Sequence, residues 1–247
     1  MIKSIFKIAT GVLLLAGMQP ATAEDQQAQY KKILSKLSPM EFTIKKINDT
    51  PIDDIKEVVI ESANGSQIFY LSSNGEFLFD GSLINTLKQQ NLTESTRADI
   101  RKSYLASIGD TQRINFFPEN MQHTVTVFTD TDCGYCRKLH SEMEQYHALG
   151  IGISYVFFPR AGMNSPAYDN AVSIWCSADQ KGAMDKSQMG QALEQISCDN
   201  PVKLHLDTAI KTGIAQMGTP SIVTQNGQLI RGYLSAKTMK QRLDMMQ

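Results

Sequence analysis

Past Met18 the chain has no apolar run long enough to cross a bilayer, which takes about 20 consecutive apolar residues. Neither sign of charge predominates: 24 Lys and Arg stand against 25 Asp and Glu. That balance gives no basis for binding nucleic acid or an anionic membrane surface. There is no internal repeat. Cysteine is scarce, with four in 247 residues, and tryptophan occurs once, as Trp175. A structural zinc site wants two close ligand pairs. Cys176 and Cys198 lie far apart, and neither has a second Cys or a His at ligand spacing. Zinc is disfavoured, and no metal or organic cofactor is expected.

What is present begins with an export signal. Lys3 and Lys7 make a basic start, Ile8 to Met18 an apolar core, and Ala21-Thr22-Ala23 a small-residue cleavage site. Residues 1–23 are expected to be removed after Ala23, leaving a soluble exported protein. In an oxidising compartment disulfides persist, and four cysteines allow three pairings. If Cys133 and Cys136 belong together, Cys176 pairs with Cys198 or stays free.

Residues 24–84 read as a short helix over Gln26 to Leu37 and then about four antiparallel strands. Phe42, Ile44 and Lys46 are expected on one side of the first strand. Asn64-Gly65 and Asn74-Gly75 mark hairpins. So small a unit buries little apolar surface and has edges to cover. A homodimer joined edge to edge would answer both needs, and so would packing against the rest of the same chain. Residues 85–110 are polar, free of proline and compatible with a connecting helix that Thr93 and Thr96 can start. Asn91-Leu92-Thr93 fits a glycosylation sequon, a pattern too short to carry weight. Residues 111–247 alternate strand and helix. Strands fall at Arg113 to Phe117, His123 to Thr129 and Gly152 to Phe158. One helix runs from Cys133 to Leu149 with Leu139, Met143, Tyr146 and Leu149 inward. Two or three helices follow, then a hairpin turning at Asn226-Gly227, and a last helix capped by Ser235. The pattern predicts a mixed sheet with helices on both faces.

The chemistry centres on "FTDTDCGYCRKLH". Cys133 and Cys136 stand where a buried strand hands over to a helix. The first turn offers free N–H groups and the positive end of the helix dipole. A thiolate there is stabilised, and the thiolate is the species that attacks sulfur. Cys133 is therefore the expected nucleophile, with Cys136 one turn on to resolve a mixed disulfide. Gly134 and Tyr135, between them, tune the redox poise. Arg137, Lys138 and His140 read as a solvated helix face. Far along the chain, Thr219-Pro220 stands directly before a strand, a place where a cis bond is often found.

The stretches "HTVTVFTDTDCGYCRKLH", "HALGIGISYVFFPRAG", "SIWCSAD", "SCDNPV" and "GTPSIVTQNGQLIRGY" resemble the DsbC/DsbG family of periplasmic thiol:disulfide interchange proteins. Gly134 places the chain on the family's isomerase side, since DsbG-like members carry proline there. The resemblance implies an α+β architecture: a C-terminal thioredoxin-like domain with a helical insertion, preceded by a small antiparallel β dimerisation domain and a linker helix. It implies Cys133 as attacking and Cys136 as resolving cysteine, Thr219 and Pro220 as a loop touching substrate backbone, and Cys176 with Cys198 as a structural disulfide. It also implies misfolded exported proteins with non-native disulfides as substrates, an inner-membrane thiol reductase as electron donor, and a homodimer with chaperone activity. A thiol oxidase and a holdase whose cysteines are dispensable are the rival readings. Trp175 and most of the twelve Met residues read as core filler, with a few Met on an adaptable surface.

Overall fold

The computed structural model describes residues 23–246. The expected export signal, Ala23 apart, lies outside them. The chain first forms α1 (Ala23–Leu37) and four strands, β1 (Phe42–Asp49), β2 (Ile55–Ser62), β3 (Gly65–Ser72) and β4 (Leu78–Phe79). These pair antiparallel in chain order. Tyr30 and Leu34 of α1 pack on Phe42, Ile44, Val58, Ile60 and Leu71. On the other face Val59, Ile68 and Tyr70 meet Ile100 of α2 (Leu92–Ala106). The unbroken run Val58-Val59-Ile60 thus belongs to a strand covered on both sides, where alternation disappears.

Lys46 does not face inward with Phe42 and Ile44. The register shifts between Ile44 and Lys46, and this bulge brings Ile47 against the core while Lys46 is exposed. Helix does not fill residues 85–110 either. Two short strands, β5 (Ile84–Asn85) and β6 (Gln90–Asn91), pair first. α2 then starts on Asn91, whose Oδ1 accepts from Glu94 N at 2.9 Å. Thr93 is not the cap. It is buried, accepts from Leu83 N at 2.8 Å and bonds the Tyr70 hydroxyl.

α2 is bound to both halves of the chain. Towards the first sheet, Thr96 donates to Glu57 at 2.8 Å and Tyr104 donates to Glu61. Towards the second half, buried Arg101 pairs with Glu94 and donates from Nε to the Gly227 carbonyl at 2.6 Å. Lys211 reaches Glu61 at 3.1 Å, so the two halves also touch directly. Two turn glycines permit this closeness. Gly65 (φ 105°) and Gly227 (φ 83°) hold left-handed backbone, and a Cβ would collide with the Ile210 carbonyl at the first and the Ala98 carbonyl at the second.

The second half contains β7 (Ile114–Phe116), β8 (His123–Thr129), α3 (Gly134–Ser141), α4 (Met143–Ala148) and β9 (Ile151–Phe157). It continues with α5 (Pro166–Cys176), α6 (Gln180–Gln188), α7 (Val202–Lys211), β10 (Ser221–Thr224), β11 (Leu229–Arg231) and α8 (Ala236–Asp244). The sheet order is β11-β10-β8-β9-β7, with β8 and β9 parallel and the other pairs antiparallel. Leu139, Tyr146, Ile174, Met184 and Met239 pack on one face, and Leu105, Leu206, Ala209 and Ile214 on the other. The Cys176–Cys198 disulfide, with an S–S distance of 2.06 Å, ties α5 to the segment before α7. Closing a loop of that size is worth about 3 kcal/mol on a chain-entropy estimate.

The helix after Cys133 is not continuous to Leu149. It breaks at Glu142, which leaves helical geometry at φ −101° and ψ 16°. Neither glycine nor proline causes the break. It accompanies tertiary bonds: Glu142 accepts from the Tyr233 hydroxyl at 2.7 Å, and Tyr146 donates to Leu234 O. Leu149 ends up exposed rather than inward.

His205 on α7 is fully buried. Its Nε2 lies 2.8 Å from Gln112 O and its Nδ1 accepts from Phe157 N at 3.3 Å, so the neutral ring uses both nitrogens. Burial lowers its pKa from 6.5 to about 4. Below the unfolded value only the unfolded chain takes up this proton. The associated stability is complete above that value and is lost as the pH falls towards the folded one. The loss amounts to about 3 kcal/mol. Denaturant titrations should show the drop for the native chain between pH 6.5 and 4. His205→Gln should be less stable at neutral pH and should show a flatter dependence across the same window. An equal slope in both proteins would refute the assignment.

Candidate active site

β8 alternates Thr with Val and Phe, is rich in β-branched residues and ends on buried Thr129. The tight turn Asp130–Asp132 follows, with Cys133 N donating to Asp130 O at 3.1 Å. Cys133 is the N-cap of α3 (φ −98°, ψ 117°), and its carbonyl accepts from Cys136 N and Arg137 N. Its sulfur therefore lies at the start of α3, near the Tyr135 and Cys136 N–H groups. Both cysteines are unbridged and buried, Cys133 at 5 % exposure and Cys136 at 1 %.

The sheet brings the Thr219-Pro220 loop to the same place. β10 pairs with β8, Ser221 opposite Phe128. The Thr219-Pro220 peptide is cis. Cys133 Sγ lies 3.2 Å from the Thr219 carbonyl, to which its thiol form donates. The Thr219 hydroxyl is buried with no other partner and is free to donate to a thiolate.

These surroundings separate the two sulfurs. The Cys133 pKa is lowered to about 5, first by the hydrogen bond from the Cys136 thiol; burial opposes this, and the Thr219 hydroxyl and the N–H groups of Cys136 and Tyr135 add to it. The Cys136 pKa is pushed up, first because its proton serves Cys133 and then by burial. One sulfur is a ready nucleophile and the other keeps its proton.

Several groups at the site carry little sign in the sequence. Asp130 is buried, accepts from Arg160 Nε at 2.8 Å and N at 3.1 Å, and takes Asp132 N at 2.9 Å. This lock fixes the turn before Cys133. Its readable hint is a carboxylate directly after a β-branched strand, three residues ahead of the first cysteine, whereas Arg160 gives none. Arg137 bonds back to Thr131 O at 3.0 Å. His140 does not belong to a solvated face. It is buried, with hydrogen bonds to Tyr155 and Asp185. Lys138 is exposed and holds its ammonium 4.6 Å from the Tyr233 ring. That ring stacks on Tyr135 at 6.3 Å. Tyr135 is exposed, so this aromatic pair lies on the surface beside the dithiol.

A family model described as "Thioredoxin-like domain" matches residues 112–247, and one described as "Disulfide bond isomerase protein N-terminal domain" matches residues 21–94. The thiol:disulfide interchange protein DsbC of Dickeya dadantii is 34% identical over 240 residues, covering 97% of this chain and 93% of its own length. That of Salmonella typhimurium is 32% identical over 231 residues, covering 94% and 92%. Among solved structures, a disulfide interchange protein from Neisseria gonorrhoeae covers 54% of this chain and 96% of its own, at 27% identity and a TM-score of 0.48.

Alkylation of Cys133 by iodoacetamide should follow its thiolate, with an inflection near pH 5 rather than near an ordinary thiol value of about 8.5. Cys136→Ala removes the largest stabilising hydrogen bond and should raise the inflection by about one unit or more. A native inflection at the ordinary value would overturn this assignment.

Proposed function

The chain belongs to the DsbC family of thiol:disulfide interchange proteins, and on that premise we propose that it is a periplasmic protein disulfide isomerase. It is a thiol-disulfide oxidoreductase whose exchanging atoms are its own sulfurs. The observation that supports the reading is the unequal dithiol, with the Cys133 thiolate favoured by the Cys136 thiol and the Thr219 hydroxyl, and Cys136 buried behind it.

Cys133 thiolate attacks a wrong disulfide in an exported client. A Cys133–client disulfide forms, and the other client sulfur leaves as thiolate. That thiolate, or another in the client, attacks the mixed disulfide, re-pairs the client and returns Cys133. No net electrons move. If the client stalls, Cys136 attacks Cys133, releases the client reduced and leaves the Cys133–Cys136 disulfide. An inner-membrane thiol reductase then restores the dithiol. In this reading Thr219 and Pro220 border the client backbone, Gly134 and Tyr135 set the poise, and the Cys176–Cys198 bridge is structural.

The chain is read as a signal peptide over residues 1–23 cleaved after Ala23, a dimerisation domain over 24–84, a linker over 85–110 and a catalytic domain over 111–247. Pairing two first domains would give a homodimer with a cleft for misfolded chains, which supports chaperone activity beside isomerisation.

A client with scrambled disulfides and the same client fully reduced separate the readings. In weakly reducing buffer the scrambled client should regain activity faster than the reduced one gains bonds. If only the reduced client is served, the protein is an oxidase. If Cys133→Ala with Cys136→Ala keeps every effect, it is a holdase. Light scattering at micromolar concentration should give a dimer mass, and a monomer mass would remove the dimer.

A further inference from the structure

Behind the dithiol lies a set of polar groups that the exchange reaction described above does not use. His140 follows Cys136 by one helical turn, so both side chains leave the same side of α3 and enter the core. His140 is 8 % exposed and Cys136 1 %. Tyr155 of β9, 1 % exposed, holds its hydroxyl 3.1 Å from His140 Nδ1. Asp185 of α6 holds Oδ1 2.8 Å from His140 Nε2, and its side chain is 47% exposed. A carboxylate only accepts, so Nε2 carries the proton, and Nδ1 accepts from the phenol. A hydrogen-bonded chain thus runs inward from a solvent-exposed carboxylate to an imidazole and then to a fully buried hydroxyl.

Among the other charged or titratable neighbours, the Asp130 carboxylate beside the dithiol has both oxygens engaged, by Arg160 and by Asp132 N, and Arg160 is a cation. From α6, Lys181 sits over the Phe116 ring, 5.6 Å from its centroid. From β7, that same ring meets His140 edge-on at 5.2 Å. From α4, the Tyr146 hydroxyl is spent on Leu234 O. Burial holds His140 below its ordinary pKa, against the upward pull of Asp185, so the ring is neutral at pH 7 and Nδ1 is basic. β9 pairs Tyr155 with Val127 of β8, and His140 on the Cys136 face of α3 meets its hydroxyl, which places Tyr155 beneath that face.

The resolving step needs such a chain. Cys136 must lose a proton before it attacks, yet solvent does not reach its sulfur. We propose that His140 receives this proton through the Tyr155 hydroxyl, with Asp185 holding the resulting imidazolium. The Cys136 proton passes to the Tyr155 oxygen, directly or across one bridging water, while the phenol proton passes to His140 Nδ1. Cys136 thiolate attacks Cys133 Sγ. The Cys133–Cys136 bond forms and the Cys133–client bond breaks. The client sulfur leaves reduced and takes a proton from water. The imidazolium returns its proton to solvent on the Asp185 side. The client disulfide is the oxidant, and no other is needed. His140 and Asp185 act through Tyr155 and are positioning residues for Cys136.

This rests on the Cys133–Cys136 exchange proposed above, and one experiment separates failure of the two. Ellman's reagent reacts with a dithiol in two phases, each releasing a coloured thiolate. The first forms the mixed disulfide at Cys133, and the second is the attack of Cys136. Stopped-flow traces of the full mature protein should show both. Absence of the first phase removes the exchange itself. In Tyr155→Phe and His140→Gln the second phase should slow at least about tenfold at neutral pH, the low side of what a positioned proton acceptor contributes. Their first phase should match the native protein. The native second phase should fall as the pH drops through an inflection below 6.5, and both variants should lose that inflection. Asp185→Asn should move it to lower pH, because the carboxylate favours the charged ring. Native second-phase rates and pH profiles in these variants would overturn the relay. Slowing of both phases in equal proportion would also overturn it, since that marks a general disturbance of the site.

Discussion

The contact between Cys133 Sγ and the Thr219 carbonyl joins residues 86 positions apart, and the site exists only while both sides are held. On one side the turn after β8 must place Cys133 at the cap of α3. The buried Asp130 carboxylate does this by gathering Arg160 and the Asp132 N–H. On the other side Thr219 must arrive at the end of β10 beside β8. The antiparallel register from Ser221 opposite Phe128 to Thr224 opposite Val125 sets that position. Both strands are covered on both faces, so a slip of one residue would exchange the side chains that fill the two cores. Register between two central strands therefore fixes the geometry around a sulfur.

A second set of contacts governs how the first sheet meets the catalytic half. Buried Arg101 would be costly without a partner. Glu94 and the Gly227 carbonyl both engage it. Glu61 collects Tyr104 from α2 and Lys211 from α7, and these hydrogen bonds hold its carboxylate below the usual range although burial alone would raise it. Because α2 carries bonds to both sides, its position couples the two. A rigid attachment of this kind would fix the direction in which the dithiol faces across a dimer.

Much of this was legible in residue types. Asn64-Gly65 and Asn226-Gly227 carry their turns in their own chemistry. The run His123 to Thr129 needs only its β-branched pattern. The two cysteines and Thr219-Pro220 stand out as motifs, and the sheet brings them together. Other features depend on contacts that no local pattern encodes. The bulge at Lys45 interrupts a stretch with no glycine. The break at Glu142 goes with bonds of Tyr233 and Tyr146 to distant groups. Asn91 looks like a modification site yet is a helix cap. His140 reads as one more charge on a basic helix, and it is buried because α6 supplies Asp185 over it.

The difference between the two sulfurs bears directly on reshuffling as opposed to oxidation. A sulfur of low pKa attacks as thiolate at neutral pH and also leaves readily when a client thiol displaces it. Cys133 therefore suits repeated entry and exit. Cys136 must do the reverse. Were it ionised at rest, it would close on Cys133 as soon as a mixed disulfide formed, and the client would leave reduced rather than re-paired. The hydrogen bond it gives Cys133, and then burial, keep its proton on at rest, and in the proposed isomerase burial lengthens the interval in which client thiols compete. A permanently protonated Cys136 would instead trap stalled clients. A basic nitrogen at one remove, reached through a phenol whose own proton burial holds tightly, permits the escape without making it fast. The slow step and its exit thus both follow from how deeply the face of α3 that carries Cys136 and His140 is buried.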